Sequence, residues 1–297
     1  MQLPLSILVY HRVLAQPDPL FPDLVDAARF AVHLRLLRRW CRVLPLAQAV
    51  RRLHERSLPS RAVCITFDGG YADHASVALP LLQRFGLPAT FFVASGFLDG
   101  GYRWSDAVVE LVRKAPGVRL DLSCSGLGIY DIGCSARRRA VIDLILAALA
   151  TLPPVERLAR VHAMTRCVTP TMLSSDQVIA LHRAGMDIGA HTVTQQALST
   201  LSNAEARAEI GNSRARLEAL VQAPVRMFSY PEGKPGADFE KRHGNMLRSA
   251  GFEAAVTTAT GAARAASDPF ELPRLMPQDR SKGAFLLRLG SNLLAPA

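Results

Sequence analysis

At 297 residues the chain has the length of one α/β barrel or of two ordinary domains, and its 49% hydrophobic content can fill a large core. No run approaches the roughly 18 consecutive apolar residues of a membrane span, so no transmembrane segment is expected. The net charge of +10 would suit nucleic acid, a phospholipid surface or a phosphate-bearing glycan, but the basic residues are spread along the chain, and the compact run Arg137-Arg138-Arg139 has no interleaved aromatic residues, so no nucleic-acid partner is expected.

Five cysteines, Cys41, Cys64, Cys124, Cys134 and Cys167, are odd in number and form no C-x-x-C pair. They read as reduced and mostly structural. The opening residues show no basic leader and no small-residue cleavage site, and the expectation is a cytoplasmic protein.

In chain order, Ser6-Ile-Leu-Val-Tyr10 reads as the first strand, with His11 leaving its end. A histidine in that place is either a hydrogen-bonded structural residue or part of a cleft. Residues from Asp26 to Trp40 form a predicted helix, with Phe30, Leu34 and Leu37 at helical spacing. Val43 to Leu46 reads as a short strand and Leu46 to Leu53 as a second helix. Two strand–helix units therefore precede the stretch from Val63 to Asp73.

That stretch organises the rest. Val63, Ile65 and Phe67 are strand formers, and Asp68 followed by Gly69 and Gly70 ends the run and turns the backbone. An acid at the carboxyl end of a strand is a catalytic candidate, because parallel α/β folds gather their site there. A helix from about His74 to Phe85, stopped by Gly86, leads into the apolar strand Ala89 to Ala94, a crossover that implies parallel pairing.

From about 100 to 171 the rhythm breaks. A helix to about Lys114, a Gly/Ser-rich stretch from Ser123 to Gly133, and helices around Arg137–Leu149 and Val155–Cys167 read as a helical insertion over the barrel mouth, within a single domain of residues 1–297. Trp104 is open to two readings, a sugar-stacking surface or core. The rhythm resumes with a helix from Ser175 to Ala184 and the strand Met186–Ala190, which delivers His191. A capping box at Ser202 and Glu205 opens a helix to about Val221. The strand Val225–Tyr230, a helix from Asp238 to Ala250, the strand Glu253–Thr257 and a last piece of wall at Glu271–Leu275 complete a single (β/α) barrel.

Several of these stretches resemble one family. Thr66-Phe67-Asp68-Gly69-Gly70-Tyr71 is similar to the Thr-Phe-Asp-Asp-Gly-Tyr signature of the NodB-like polysaccharide deacetylases. Tyr10-His11-Arg12-Val13 resembles the start of their exopolysaccharide-cluster branch. Ala89-Thr-Phe-Phe-Val93 resembles the family's next strand, His191-Thr-Val-Thr-Gln195 its His-[Ser/Thr]-x-x-His motif, and Phe228-Ser-Tyr230-Pro-Glu232-Gly233 its post-strand loop. The resemblance runs from about residue 4 to 280. It implies a distorted (β/α)7 barrel with the helical insertion after the third or fourth strand.

The resemblance also implies roles. Asp68 would be the base, His191 a ligand of a divalent metal such as zinc, and Tyr230, Pro231 and Glu232 the frame for the substrate acyl group and its oxyanion. His11 is the candidate acid, since the family's late Leu-His motif is not visible. Two expected ligands are replaced, by Gly69 and Gln195, which leaves His191 as a remnant of a site that wants about three protein ligands. Asp73, His74 and Gln195 are the nearby helpers that could complete it, with Asp73 otherwise reading as a helix N-cap. In many relatives an arginine steadies the base; Ser229 stands at that place, Arg226 lies three residues too early, and Arg274 looks like the branch's own ending.

The implied function is hydrolysis of the N-acetyl amide, a non-peptide C–N bond, on an amino sugar of a surface polysaccharide or its lipid-linked precursor. Peripheral membrane contact would accompany the lipid-linked substrate. The alternative is a catalytically inactive relative that binds glycan or a partner in exopolysaccharide biosynthesis. No G-x-S-x-G, H-E-x-x-H or phosphate-loop motif offers a competing chemistry.

Overall fold

A computed structural model describes residues 3–165 and 171–294, so Cys167 lies outside the described residues. The chain divides into two compact units, one made of Met1–Gln16, Asp23–Asp99 and Met172–Ala297, the other of Pro17–Pro22 and Gly100–Thr171.

The first unit begins with β1 (Ser6–Tyr10), followed by the short parallel pair β2 (Val13–Leu14) and β3 (Val25–Asp26). Asp26 then caps α1 (Ala27–Trp40), its carboxylate accepting from the Ala28 and Arg29 amides, and Phe30, Leu34 and Leu37 bury the predicted face. Next come β4 (Arg42–Val43), α2 (Leu46–His54) and β5 (Ala62–Gly69). The sequence reading placed a short strand at Val43–Leu46, and the structure has it at Arg42–Val43. It is a two-residue strip paired with the start of β5 from Arg42–Ala62 to Val43–Val63, while β1 pairs directly with β5 from Ser6–Val63 to Tyr10–Phe67. A π-helical turn over His74–Ala78 precedes α3 (Leu79–Phe85), which Gly86 closes in the left-handed conformation, and β6 (Thr90–Val93) follows.

The second unit holds α4 (Trp104–Lys114), an antiparallel hairpin of β7 (Arg119–Asp121) and β8 (Ile129–Asp131), then α5 (Ser135–Ala150) and α6 (Pro154–Met164). It has its own core, in which Val108, Val112, Ile142, Ile145 and Val161 pack with Leu20. Asp18 receives both terminal nitrogens of Arg113, at 2.8 and 2.7 Å. Trp104 packs against this core, with the Arg157 guanidinium 4.7 Å over its ring.

Back in the first unit, α7 (Ser175–Arg183) starts at a Ser174/Gln177 capping box and leads to β9 (Asp187–Ala190). The predicted Ser202/Glu205 box opens α8 (Asn203–Val221). Then come β10 (Met227–Ser229), α9 (Lys241–Ser249), β11 (Ala254–Thr260), β12 (Leu272–Arg274) and α10 (Lys282–Leu294).

Seven strands, in the order β1-β5-β6-β9-β10-β11-β12, form one parallel sheet. A parallel bridge from Leu8 to Leu275 brings the last strand back to the first. The result is a nearly closed seven-stranded barrel with helices around it, the fold expected from the sequence. Alternation along β5 sends Val63, Ile65 and Phe67 to the helices and Cys64, Thr66 and Asp68 to the barrel interior. Asp68 therefore arrives inside the barrel at its carboxyl end.

Candidate functional site

Five strands deliver side chains to the carboxyl end around Asp68. The parallel register places Tyr10 opposite Phe67, so His11 leaves β1 beside Asp68. His191 follows β9, Ser229 ends β10, and Arg274 ends β12.

Asp68 is only 2% exposed and Arg274 equally buried. The guanidinium grips the carboxylate with two bonds, Nη1 to Oδ1 at 2.8 Å and Nη2 to Oδ2 at 2.6 Å. Its remaining N–H groups donate to the Thr257 carbonyl (2.8 Å), Thr66 Oγ1 (3.3 Å) and Ser229 Oγ (3.1 Å), so all five donors are satisfied. The Ser229 hydroxyl in turn donates to Asp68 Oδ2 at 3.1 Å. Burial opposes ionisation here, but the charge and bonds of Arg274, with help from His191 and His11, hold the Asp68 carboxyl well below the usual carboxylate range. The sequence reading left the base without its arginine. Arg274 supplies it from 206 residues away, and Ser229 adds a hydroxyl on the same oxygen.

His191 is 2% exposed, and its tautomer follows from its partners. Nδ1–H donates to the Ser229 carbonyl at 2.7 Å, which leaves Nε2 as the acceptor. That acceptor faces the Gln195 amide nitrogen at 3.1 Å. The nitrogen that a metal would need is thus engaged by the residue standing at the second histidine's place. Gln195 is held there by its loop: Thr192 and Gln195 both take left-handed backbone angles, and Glu209 accepts from the Val193 and Thr194 amides, each at 2.8 Å.

At the other replaced ligand, Gly69 has φ +101°, a conformation that side chains rarely adopt. A Cβ there would meet Tyr71 Cε2 at 2.9 Å. Tyr71 has the Arg12 guanidinium 5.0 Å over its ring and packs edge-on to His74.

Of the three candidate helpers, Gln195 reaches His191, while Asp73 and His74 have other partners. Asp73 accepts from Arg12 Nε at 2.7 Å and from the Val13 amide at 3.2 Å; it does not cap the following helix either. His74 is fully buried among Phe67, Tyr71 and Phe91, and its Nε2–H donates to the His11 carbonyl. Burial lowers its pKa. Among the described residues no three His, Cys, Asp or Glu side chains converge as a metal site. The donor set does not fit the divalent ion that the family pattern implies.

The post-strand loop begins at Tyr230. Its ring is 1% exposed and stacked on Phe239 at 3.7 Å, and its amide donates to the Val256 carbonyl. The Tyr230 ring is thus packed into the barrel wall. Pro231 is buried, and exposed Glu232 sits at φ +57°, its carbonyl accepting from Thr258 Oγ1 at 2.9 Å, so the loop is fastened to β11. Arg226 lies at the other end of β10 and pairs with Glu253 at 3.3 Å.

The family model for polysaccharide deacetylase matches residues 55–121 and 130–255. No curated protein matches the chain in sequence. Among solved structures, the Streptococcus pyogenes deacetylase PplD, in complex with acetate, superposes with a TM-score of 0.66 at 18% identity, covering 100% of both chains. IcaB from Ammonifex degensii gives 0.63 at 19% identity over 97% of this chain and 96% of its own. A de-N-acetylase from Aggregatibacter actinomycetemcomitans gives 0.60 at 16% identity, with 96% and 99% covered. The likeness to these structures is one of fold, and with the family match over most of its length the chain belongs to the polysaccharide deacetylase family.

Proposed function

We propose that this chain is a deacetylase-family protein that binds an N-acetylated amino sugar, in a surface polysaccharide or its lipid-linked precursor, without metal-dependent hydrolysis. The observation that carries the reading is the bond between Gln195 and His191 Nε2, with Nδ1 already fixed by the Ser229 carbonyl. Catalytic zinc typically needs about three protein ligands. Here one remains, and its lone pair is engaged.

A second reading, turnover of the same amide, is favoured by Asp68. The carboxylate is kept ionised and oriented by Arg274 and Ser229, with His11 beside it, which is the arrangement of a base and an acid. Against it, a carboxylate held so far below its usual range is a weak base toward water.

The test is to load the purified chain with zinc, cobalt or nickel, desalt it, and measure its metal content. In parallel, acetate release from, and calorimetric binding of, an N-acetylglucosamine oligomer are followed. Saturable binding with neither retained metal nor acetate is expected. Close to one ion per chain together with acetate release would establish the second reading.

A further inference from the structure

Once the elements are placed, much of the chain's positive charge falls on one end of the barrel. Residues 35–61 carry eight arginines against the single acid Glu55, which is +7 of the net +10. They run from the second half of α1 through β4 and α2 to the loop before β5, and all but Arg52 are exposed. Elsewhere arginines close ion pairs, as Arg12, Arg29, Arg214 and Arg274 do. None of these eight reaches an acid among the described residues. Basic side chains at a helix C-terminus favour its dipole, which accounts for Arg38, Arg39, Arg51 and Arg52. It does not account for Arg42, Arg56 or Arg61, which lie outside the helices. Arg56 and Arg61 stand at φ +57° and +58°, where glycine or asparagine would cost less. The Arg42 amide donates to the Arg61 carbonyl at 2.9 Å, which joins the end of α1 to the start of β5 at the amino end of the barrel. There Trp40 is 45% exposed, with the Arg39 guanidinium 5.2 Å over its ring.

We propose that this face docks on an anionic phospholipid surface. Arginines gathered on one face repel one another, and a layer of lipid phosphates supplies the counter-charge that the chain does not. Trp40 separates a membrane from a nucleic acid as the partner. An exposed indole beside arginines sits favourably at the headgroup level of a bilayer, whereas one indole makes no stacking platform for successive bases. The face shares no residue with the Asp68 centre and lies at the other end of the barrel, so it stands whichever reading of that centre holds.

The experiment is flotation of the full chain with phosphatidylcholine vesicles, with and without about 30% phosphatidylglycerol, at about 0.15 M and about 0.5 M salt. Flotation is expected only with phosphatidylglycerol, falling about fivefold or more at the higher salt, and tryptophan emission should shift to the blue on binding. Arg39→Gln with Arg42→Gln and Arg61→Gln should weaken binding about tenfold or more. Arg119→Gln with Arg207→Gln and Arg216→Gln, the same loss of charge from exposed positions on other elements, should leave it within about twofold. Trp40→Phe should keep most of the binding and lose the blue shift, a result that misfolding of an arginine variant cannot imitate. No flotation, equal flotation with and without phosphatidylglycerol, equal weakening by the two triple variants, or displacement from the vesicles by random duplex DNA at matched charge would overturn the proposal, the last by giving the face to nucleic acid.

Discussion

A Cβ placed on Gly69 falls 2.9 Å from Tyr71 Cε2, so this glycine and this tyrosine have settled into one another's space. A side chain at this position therefore needs Tyr71 to move. Restoring the family pattern by Gly69→Asp with Gln195→His should give little retained zinc. Adding Tyr71→Ala should raise it toward one ion per chain, as metal analysis after desalting would show. Full metal retention by the double variant alone would mean that the loop yields more easily than its geometry indicates. Gly69→Ala by itself should cost about 1–3 kcal/mol in urea unfolding, from the φ of +101°.

Removing one member of the buried Asp68–Arg274 pair leaves the other charge without compensation. Arg274→Met should destabilise the chain by about 3–5 kcal/mol. The double variant Arg274→Met with Asp68→Leu should lose less than the sum of the two singles, and a double-mutant cycle in urea measures that difference.

The Gln195 loop gives a third expectation. Glu209 accepts two backbone amides and the Thr194 hydroxyl. Glu209→Ala should cost about 1–3 kcal/mol and speed hydrogen exchange at Val193 and Thr194, with α8 still formed.

Acid sensitivity should come in part from His33, which is buried against Phe285 and bonded to the Tyr10 hydroxyl. Burial lowers its pKa to about 4, partly countered by Asp279. The folded state thus favours neutral imidazole, and its contribution is complete above the unfolded value of about 6.5 and lost as pH falls toward 4. The loss is on the order of 3 kcal/mol. Denaturation midpoints between pH 7 and 4 should fall more steeply for the unaltered chain than for His33→Asn.

The contrast between what the residues announced and what they hid has a physical pattern. The Ser202/Glu205 cap, the apolar stripe of α1 and the left-handed Gly86 were legible because each is decided within a few residues. Asp68 and His191 were legible from short motifs at strand ends. The role of Arg274 was not, since its partners come from three other strands, β5, β10 and β11, and no local pattern encodes them. Helix α10 escaped notice because Gly283 and Gly290 dilute its helical signal, and the hairpin of β7 and β8 because three-residue strands show too little alternation.

The span of 206 residues between Asp68 and Arg274 also sets an order of events. Strand β5 is synthesised long before β12, and the carboxylate at its tip has no counter-ion until the last wall strand arrives. A nascent or truncated chain ending before Leu272 would have to keep that end of the barrel hydrated. Closing the barrel and pairing its central charge therefore depend on the same strand.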